Sequence, residues 1–237
     1  MKLANATVLI TGANRGLGRA LVTASLARGA RRVYAGSRDL AKLVDLPAHV
    51  VPVQLDVNDP RSLAAVVANA TDVNLLINNA GVLVSGGALT SSPEQIAQEF
   101  ATNVFGTLAA TRAFTPTLVR AKGAVLNVLS VVSFANMPGL GIYSAAKAAS
   151  YSLTQALRAD LAKQDVRVHA AFPGAIDTDM VRAMEMPKTS AADVASGILD
   201  GLEDGLDEII PDPMARDLHA MWKRDPRELE RALASMG

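Results

Sequence analysis

Short aliphatic and β-branched runs alternate along this chain with longer stretches in which alanine and leucine recur at helical spacing. Thr7-Val8-Leu9-Ile10 is a near-continuous apolar run, the pattern of a parallel strand covered on both faces. From Arg19 to Arg28 the apolar positions Ala20, Leu21, Ala24 and Ala27 follow a helical period, and Gly29 stands where a helix C-cap belongs. Strands are then predicted at Val33 to Ala35, His49 to Leu55 and Val73 to Asn78, with a helix from Pro60 to Ala70 behind an Asp59 N-cap. A long helical region runs from Pro93 to Arg120, with a bend expected near Pro116. Beyond it come a strand at Val125 to Leu129, a helix at Tyr143 to Lys163, and a strand at Val166 to Phe172 closed by Pro173-Gly174. The tail adds a helix from about Ala191, a short apolar run at Glu208 to Pro211 and an amphipathic helix from about Pro226 to Ser235. This alternation predicts an α/β fold, a Rossmann-type doubly wound parallel β-sheet flanked by helices on both faces. No linker, low-complexity tract or internal repeat interrupts the pattern, so a single domain over residues 1–237 is expected.

Composition narrows the chemistry. The 23 basic and 23 acidic side chains cancel, which gives no global pull toward nucleic acid or an anionic membrane surface. The absence of cysteine removes disulfides, thiolate nucleophiles and cysteine-based metal sites together. His49, His169 and His219 stand at no metal-binding spacing, so no metal site is expected. The stretch Gly123 to Ala146 is free of charge but contains Asn127, Asn136 and Pro138. A membrane helix needs roughly 20 predominantly apolar residues, so this stretch reads as a buried strand and a loop. Met1 to Gly12 carries no signal-peptide core, and a cytoplasmic location is the expectation.

The first strand ends in Thr11-Gly12-Ala13-Asn14-Arg15-Gly16-Leu17-Gly18 and opens a helix. Glycines let the backbone turn sharply and approach a diphosphate, while the helix N-terminus offers unpaired N–H groups and the positive end of its dipole. The second strand ends in Gly36-Ser37-Arg38, with no acidic residue where NAD-specific folds use one for the ribose 2′-hydroxyl. Arg15 and Arg38 could instead clamp a 2′-phosphate through charge-assisted hydrogen bonds. Asp39, one residue on, reads as a helix N-cap.

After the fifth strand comes Ser130, and thirteen residues later Tyr143-Ser144-Ala145-Ala146-Lys147. Tyr143 and Lys147 are four apart and share a helix face. A phenol of ordinary pKa ~10 is a poor acid–base catalyst at neutral pH. A lysine ammonium beside it stabilises the phenolate and is expected to lower that pKa. Ser130, at a strand's carboxyl end, could hydrogen-bond a substrate carbonyl oxygen.

These residues resemble the short-chain dehydrogenase/reductase family, over nearly the whole chain. The matching elements, in order, are the Thr11-to-Gly18 turn, Asp56-Val57, Asn78-Asn79-Ala80-Gly81, Asn103, Ser130 with Tyr143 and Lys147, and Pro173-Gly174 with Thr178. The resemblance implies an NADP(H)-dependent carbonyl reductase or alcohol dehydrogenase. In that reading Tyr143 is the proton donor, Lys147 depresses its pKa and holds the nicotinamide ribose, and Ser130 polarises the carbonyl. Asn103 holds a water that links Lys147 to a proton relay. Gly12, Asn14, Arg15, Gly16, Leu17 and Gly18 line the cofactor, with Ser37 and Arg38, Asp56 and Val57, Asn79, Ala80 and Gly81. Pro173, Gly174, Ile176 and Thr178 complete that set, Asp56 facing adenine and Thr178 the carboxamide. Departures are Leu129, where many members carry a serine, and His169, where asparagine is frequent; His169 is given only a structural role.

In the family the segment after Thr178 closes over the substrate, and here it is short, about residues 179–190, with Met180, Met184 and Met186. The loop after Ser130 adds Phe134, Met137 and Leu140. Methionine suits pockets that accept several apolar shapes, so an apolar ketone or aldehyde and its alcohol are the expected substrate pair. Three other readings stand beside this one. They are an NADP-binding sensor without turnover, a 3-oxoacyl-thioester reductase, and a nucleotide-sugar epimerase or dehydratase. The tail lacks the glycine-rich ending of 3-oxoacyl reductases, and few residues remain after Ser190 for an epimerase's extra substrate domain. By the same resemblance the helices Phe100 to Leu118 and Tyr151 to Leu161 pair two copies, and a homodimer or homotetramer is expected.

Overall fold

The alternating pattern folds into β1 (Thr7–Ile10), α1 (Gly16–Ala27), β2 (Arg32–Ser37), β3 (Val50–Gln54), α2 (Pro60–Asn69) and β4 (Leu75–Asn78) in the computed structural model of the chain, which describes residues 1–235. Next come α3 (Pro93–Phe100), α4 (Thr107–Ala121), β5 (Ala124–Val128), α5 (Gly141–Ala162) and β6 (Arg167–Ala171). The chain continues through β7 (Ile176–Asp177), β8 (Thr189–Ser190), α6 (Ala191–Glu203), β9 (Glu208–Ile209), α7 (Pro213–Arg224) and α8 (Pro226–Ala234). Seven strands form one sheet in the order β3-β2-β1-β4-β5-β6-β9, every pair parallel. Alternate residues of β1 serve opposite faces. Val8 and Ile10 pack with α1 and α6, while Leu9 packs with Leu63 and Val66 of α2 and with Ala110, Phe114 and Leu118 of α4. The chain winds outward from β1 to β3, then crosses back to β4. The carboxyl ends of β1 and β4 therefore flank the crevice where ligands bind in such sheets. No helix among the described residues is long and apolar enough to cross a membrane.

Local signals set several boundaries as expected. Asp59 caps α2 by accepting from the Arg61 N–H at 2.9 Å, and Asp39 accepts from the Ala41 N–H at 3.0 Å to start a short 3-10 turn. Two expectations fail. The helical region from Pro93 does not run on to bend near Pro116; it is interrupted earlier, by a π-helical segment at Ala101–Gly106. Both Pro116 and Arg112 are exposed, so water can take the Arg112 carbonyl that proline leaves without a donor, and α4 runs on. In the π segment the Asn103 carbonyl instead accepts from Ser150 Oγ at 2.8 Å and Thr107 Oγ1 at 3.1 Å. The second failure is α7, which the sequence reading left out. Asp212 caps it by accepting from the Ala215 N–H at 2.9 Å, with Pro213 in the first turn.

Candidate active site

The turn after β1 is built from backbone contacts. Gly12 has φ +67°, and a Cβ there would meet the Ala80 Cα at 3.0 Å. A Cβ on Gly18 would lie 2.1 Å from the Gly12 carbonyl oxygen, so no other residue fits without displacing the turn. Thr11 Oγ1 accepts from the Asn79 and Ala80 N–H groups at 3.0 and 2.9 Å, and Asn79 Nδ2 donates to the Thr11 and Gly12 carbonyls at 2.9 and 3.1 Å. These bonds tie the ends of β1 and β4 together. Arg15 stands at the N-cap of α1 without a side-chain cap, so the first N–H groups of the helix, from Gly16 to Gly18, face the cavity with no partner from the helix itself. This glycine cradle fits a diphosphate.

A buried polar ladder carries the other half of the site. Asn78 on β4 donates to Asn127 on β5 at 2.8 Å, and Asn127 to Thr154 on α5 at 2.9 Å. Thr154 donates to the Ser150 carbonyl at 2.7 Å, one turn below Lys147. Ser130 follows β5 in extended conformation and starts the 3-10 turn Val131–Ser133. Lys147 is buried, donates to the Val128 carbonyl at 2.9 Å, and stands 5.6 Å from the centre of the Tyr143 ring. Burial pulls Lys147 down to about 8, while Glu99 pushes the other way. Burial and Glu99 both drive the Tyr143 phenol above its ordinary value, and the Ser130 hydroxyl facing it works in the opposite direction. This corrects the expected depression of Tyr143 by Lys147. Desolvation is the largest cause, and the Lys147 ammonium donates to the Val128 carbonyl.

The cavity at the carboxyl ends of the strands measures about 940 Å³. Its wall brings together Gly12, Asn14, Arg15, Gly16, Leu17 and Gly18 with Ser37 and Arg38. Asn79, Ala80 and Gly81, then Ser130, Tyr143 and Lys147, then Pro173, Gly174, Ile176 and Thr178 complete the sequence-derived set on that wall. Three expected residues are not part of it. Val57 packs into the hydrophobic core with Leu55 and Leu63. Asp56 accepts from the Asn58 N–H at 2.9 Å and so shapes its own loop. Asn103 turns to Val82, accepting from its N–H at 3.1 Å and donating to its carbonyl at 3.0 Å, and its amide also donates to Glu99. Arg15 pairs with Asp179 at 3.5 Å across the mouth, whereas Arg38 is exposed at the rim and makes no side-chain bond among the described residues.

Lys42 at the same rim went unnoticed in the sequence, as did Met214 and Leu218 on α7 and Leu233 on α8, which close the apolar end of the cavity with Met180, Met184 and Met186. The Asp212-Pro213 pair was readable as a helix start and would have found α7, as Asp225-Pro226 marks the expected α8. The methionine segment is pinned at its base where β7 pairs with β8, the Thr189 N–H donating to the Ala175 carbonyl at 2.9 Å. Phe134 faces away from the cavity, stacked between Phe172 at 4.5 Å and Trp222 at 4.6 Å. His169 is wholly buried, with Nδ1 2.7 Å from the Leu206 carbonyl, which accords with a structural role.

The family model for short chain dehydrogenases matches residues 6–188. A short chain dehydrogenase from Burkholderia cenocepacia, solved in complex with NADP, superposes with a TM-score of 0.94 at 39% identity, covering 98% of this chain and 99% of that one. A short chain dehydrogenase/reductase from Burkholderia phymatum in complex with NAD gives 0.86 at 26% identity, covering 96% of each chain. Among curated proteins, the short chain dehydrogenase pigC of Monascus ruber is 33% identical over 76% of this chain. The chain spans 65% of that relative's length and 59% of the bovine dehydrogenase/reductase SDR family member 7B. A 3-oxoacyl-(acyl-carrier-protein) reductase of Salmonella typhimurium is 30% identical, with 83% of this chain and 84% of the relative covered.

Proposed function

This chain belongs to the short-chain dehydrogenase/reductase family, and we propose that it is an NADPH-dependent reductase of an apolar ketone or aldehyde, with Tyr143 as the proton donor. The observation that carries this reading is the meeting of Ser130, Tyr143 and Lys147 on one wall of a cavity whose far end is methionine and leucine. NADPH, when bound, supplies the hydride to the carbonyl carbon. The cradle from Gly12 to Gly18 holds its diphosphate, and the cations Arg15, Arg38 and Lys42 at the rim suit its 2′-phosphate. Ser130 orients the carbonyl oxygen by donating to it. Tyr143 transfers its hydroxyl proton to that oxygen as the alcohol forms, and Lys147 stabilises the phenolate left behind. A phenol held above its ordinary pKa stays protonated at neutral pH, the state that carbonyl reduction consumes.

The test is titration of the purified protein with NADPH and NADH by nicotinamide fluorescence, followed by a panel of neutral apolar ketones. Tight NADPH binding with ketone-dependent oxidation is expected. Binding without turnover on any carbonyl would instead mark a sensor, and a preference for carboxylated over neutral ketones of equal size would overturn the apolar pocket. The Salmonella relative keeps a 3-oxoacyl thioester in the panel as the second reading. We also assign a homodimer or homotetramer built through α4 and α5. Phe105, 61% exposed just before α4, supports this, and sedimentation tests it.

A further inference from the structure

Glu99 takes no part in that chemistry, yet it is a carboxyl with no exposed surface, on a helix packed against α5. It sits in the last turn of α3, whose start is fixed by a capping box. There Ser92 Oγ accepts from the Gln95 N–H at 3.3 Å, and the Ser92 N–H donates to Gln95 Oε1 at 2.8 Å. One Glu99 oxygen accepts from the Val84 N–H and the other from Asn103 Nδ2. Asn103 in turn clasps both backbone groups of Val82. A single carboxyl thus ties the loop after β4 to the π segment. The same region reaches Lys147: a Cβ on Gly81 would lie 2.8 Å from Asn103 Oδ1 and 3.9 Å from Lys147 Nζ.

Few other charges face this group. The loop from Asn79 to Ser92 and the π segment contain no ionisable side chain. On its own helix Glu94 is exposed and bonded to Ser92. On α5, which packs against α3, Tyr143 and Lys147 are the groups whose charge couples to it. Both of its oxygens accept, a pattern that a carboxylate meets and the amide of glutamine, with one donor end, does not. A buried carboxylate is stabilised further by a nearby ammonium, and Lys147 is a buried lysine on α5, the helix packed against α3.

We propose that Glu99 is a positioning residue for the reaction, the buried counter-charge that holds Lys147 protonated and the Tyr143 phenol undissociated while its hydrogen bonds fix Asn103. The inference rests on the reductase reading for its catalytic meaning, but not for its electrostatic content. The two charges bear on each other: burial raises the Glu99 pKa while the Val84 N–H bond and then Lys147 lower it, and burial lowers that of Lys147 while Glu99 raises it.

Such coupling is reciprocal, which gives a test without substrate. In protein labelled with carbon-13 at glutamate carboxyls, the Glu99 signal is the one lost in Glu99→Gln. Its titration midpoint should rise by about one pH unit in Lys147→Met, as removal of a nearby unit charge implies. An unmoved midpoint, or no titration in either protein, overturns the proposal. With a ketone found in the panel, Glu99→Gln should shift the high-pH fall of kcat/KM for reduction downward by about one unit, whereas Glu99→Asp should leave it near its place. Both variants losing kcat with the limb unmoved would show a purely structural carboxyl. If the native protein reduces no ketone, the reductase reading fails and the carboxyl titration still decides this one.

Discussion

Arg38→Ala separates cofactor reading from folding more cleanly than any other change at the rim. The side chain is exposed and makes no hydrogen bond or ion pair among the described residues, so its removal should change stability by no more than ~0.5 kcal/mol. Charge-assisted hydrogen bonds to a 2′-phosphate contribute about 1.5–3 kcal/mol, which is roughly a 10- to 100-fold weaker NADPH affinity. NADH has no such phosphate and should bind the variant as it binds the native protein. Arg15 supplies the internal contrast. It already pairs with Asp179 at 3.5 Å, both side chains largely in solvent. Such a pair contributes about 0–1 kcal/mol, and recruiting Arg15 to a phosphate gives that up, so Arg15→Ala should cost NADPH less than Arg38→Ala does. The assay is nicotinamide fluorescence titrated with both cofactors at low and high salt, where the Arg38 deficit should shrink as screening increases. Equal losses for NADPH and NADH, or none for either, would refute the assignment of Arg38 to the phosphate.

Tyr143→Phe should abolish most turnover and leave the NADPH dissociation constant nearly unchanged; full activity would remove the phenol from the reaction. Gly18→Ala places a methyl 2.1 Å from the Gly12 carbonyl, a clash that overpacking measurements put at about 1–3 kcal/mol. It should lower the melting temperature and weaken NADPH and NADH together, and a variant with native melting and binding would refute the cradle. Lys147→Met should abolish turnover yet raise stability at neutral pH. The folded-state pKa of Lys147, about 8, lies below its ordinary 10.5, so the unfolded chain binds the extra proton between those values and native stability rises with pH across that window. Below it the full penalty, on the order of 3 kcal/mol, is present. Losing the bond to Val128 returns about 1 kcal/mol of it. Denaturant melts at pH 7 and pH 10 should show the variant's advantage shrinking as pH rises, and an advantage independent of pH would refute it.

The sheet was legible because each strand carries its own signal, and so were the parts of the site made from backbone or adjacent strand ends. Thr11 to Gly18 could be placed because a turn that admits only glycine leaves its mark in the sequence, and Asn79 to Gly81 through the family resemblance. Tyr143 and Lys147 could be paired because helical spacing places them on one face. What escaped depends on contacts between distant segments. Glu99 reads locally as one more polar residue of an amphipathic helix, and its burial follows only from Val84 and Asn103 meeting it. The π segment was hidden because it needs Ser150, 47 residues away, to satisfy the Asn103 carbonyl, whereas Pro116 advertised a bend that solvent makes unnecessary. The Tyr143 pKa went the wrong way for the same reason. A local pairing rule sees the ammonium, but desolvation is set by the whole cavity wall.

The two ends of the cavity are made of different material. At the cofactor end the wall is main chain, fixed by the Gly12 and Gly18 contacts and by the Thr11 and Asn79 bonds between β1 and β4, where one methyl group has no room. At the other end it is side chain, supplied by a twelve-residue segment held where β7 meets β8 and by the Arg15–Asp179 pair, and by two short helices whose buried anchors are Ala215, Leu218, Leu229 and Leu233. Changes of volume there leave the seven-stranded sheet untouched. Asp212 joins the two regimes. One of its oxygens starts α7 at Ala215 and the other accepts from the Gly174 N–H at 2.8 Å, at the edge of the cofactor wall. With β9, which pairs with β6 and runs into α7, this bond holds the roof of the cavity in register with the wall at Gly174.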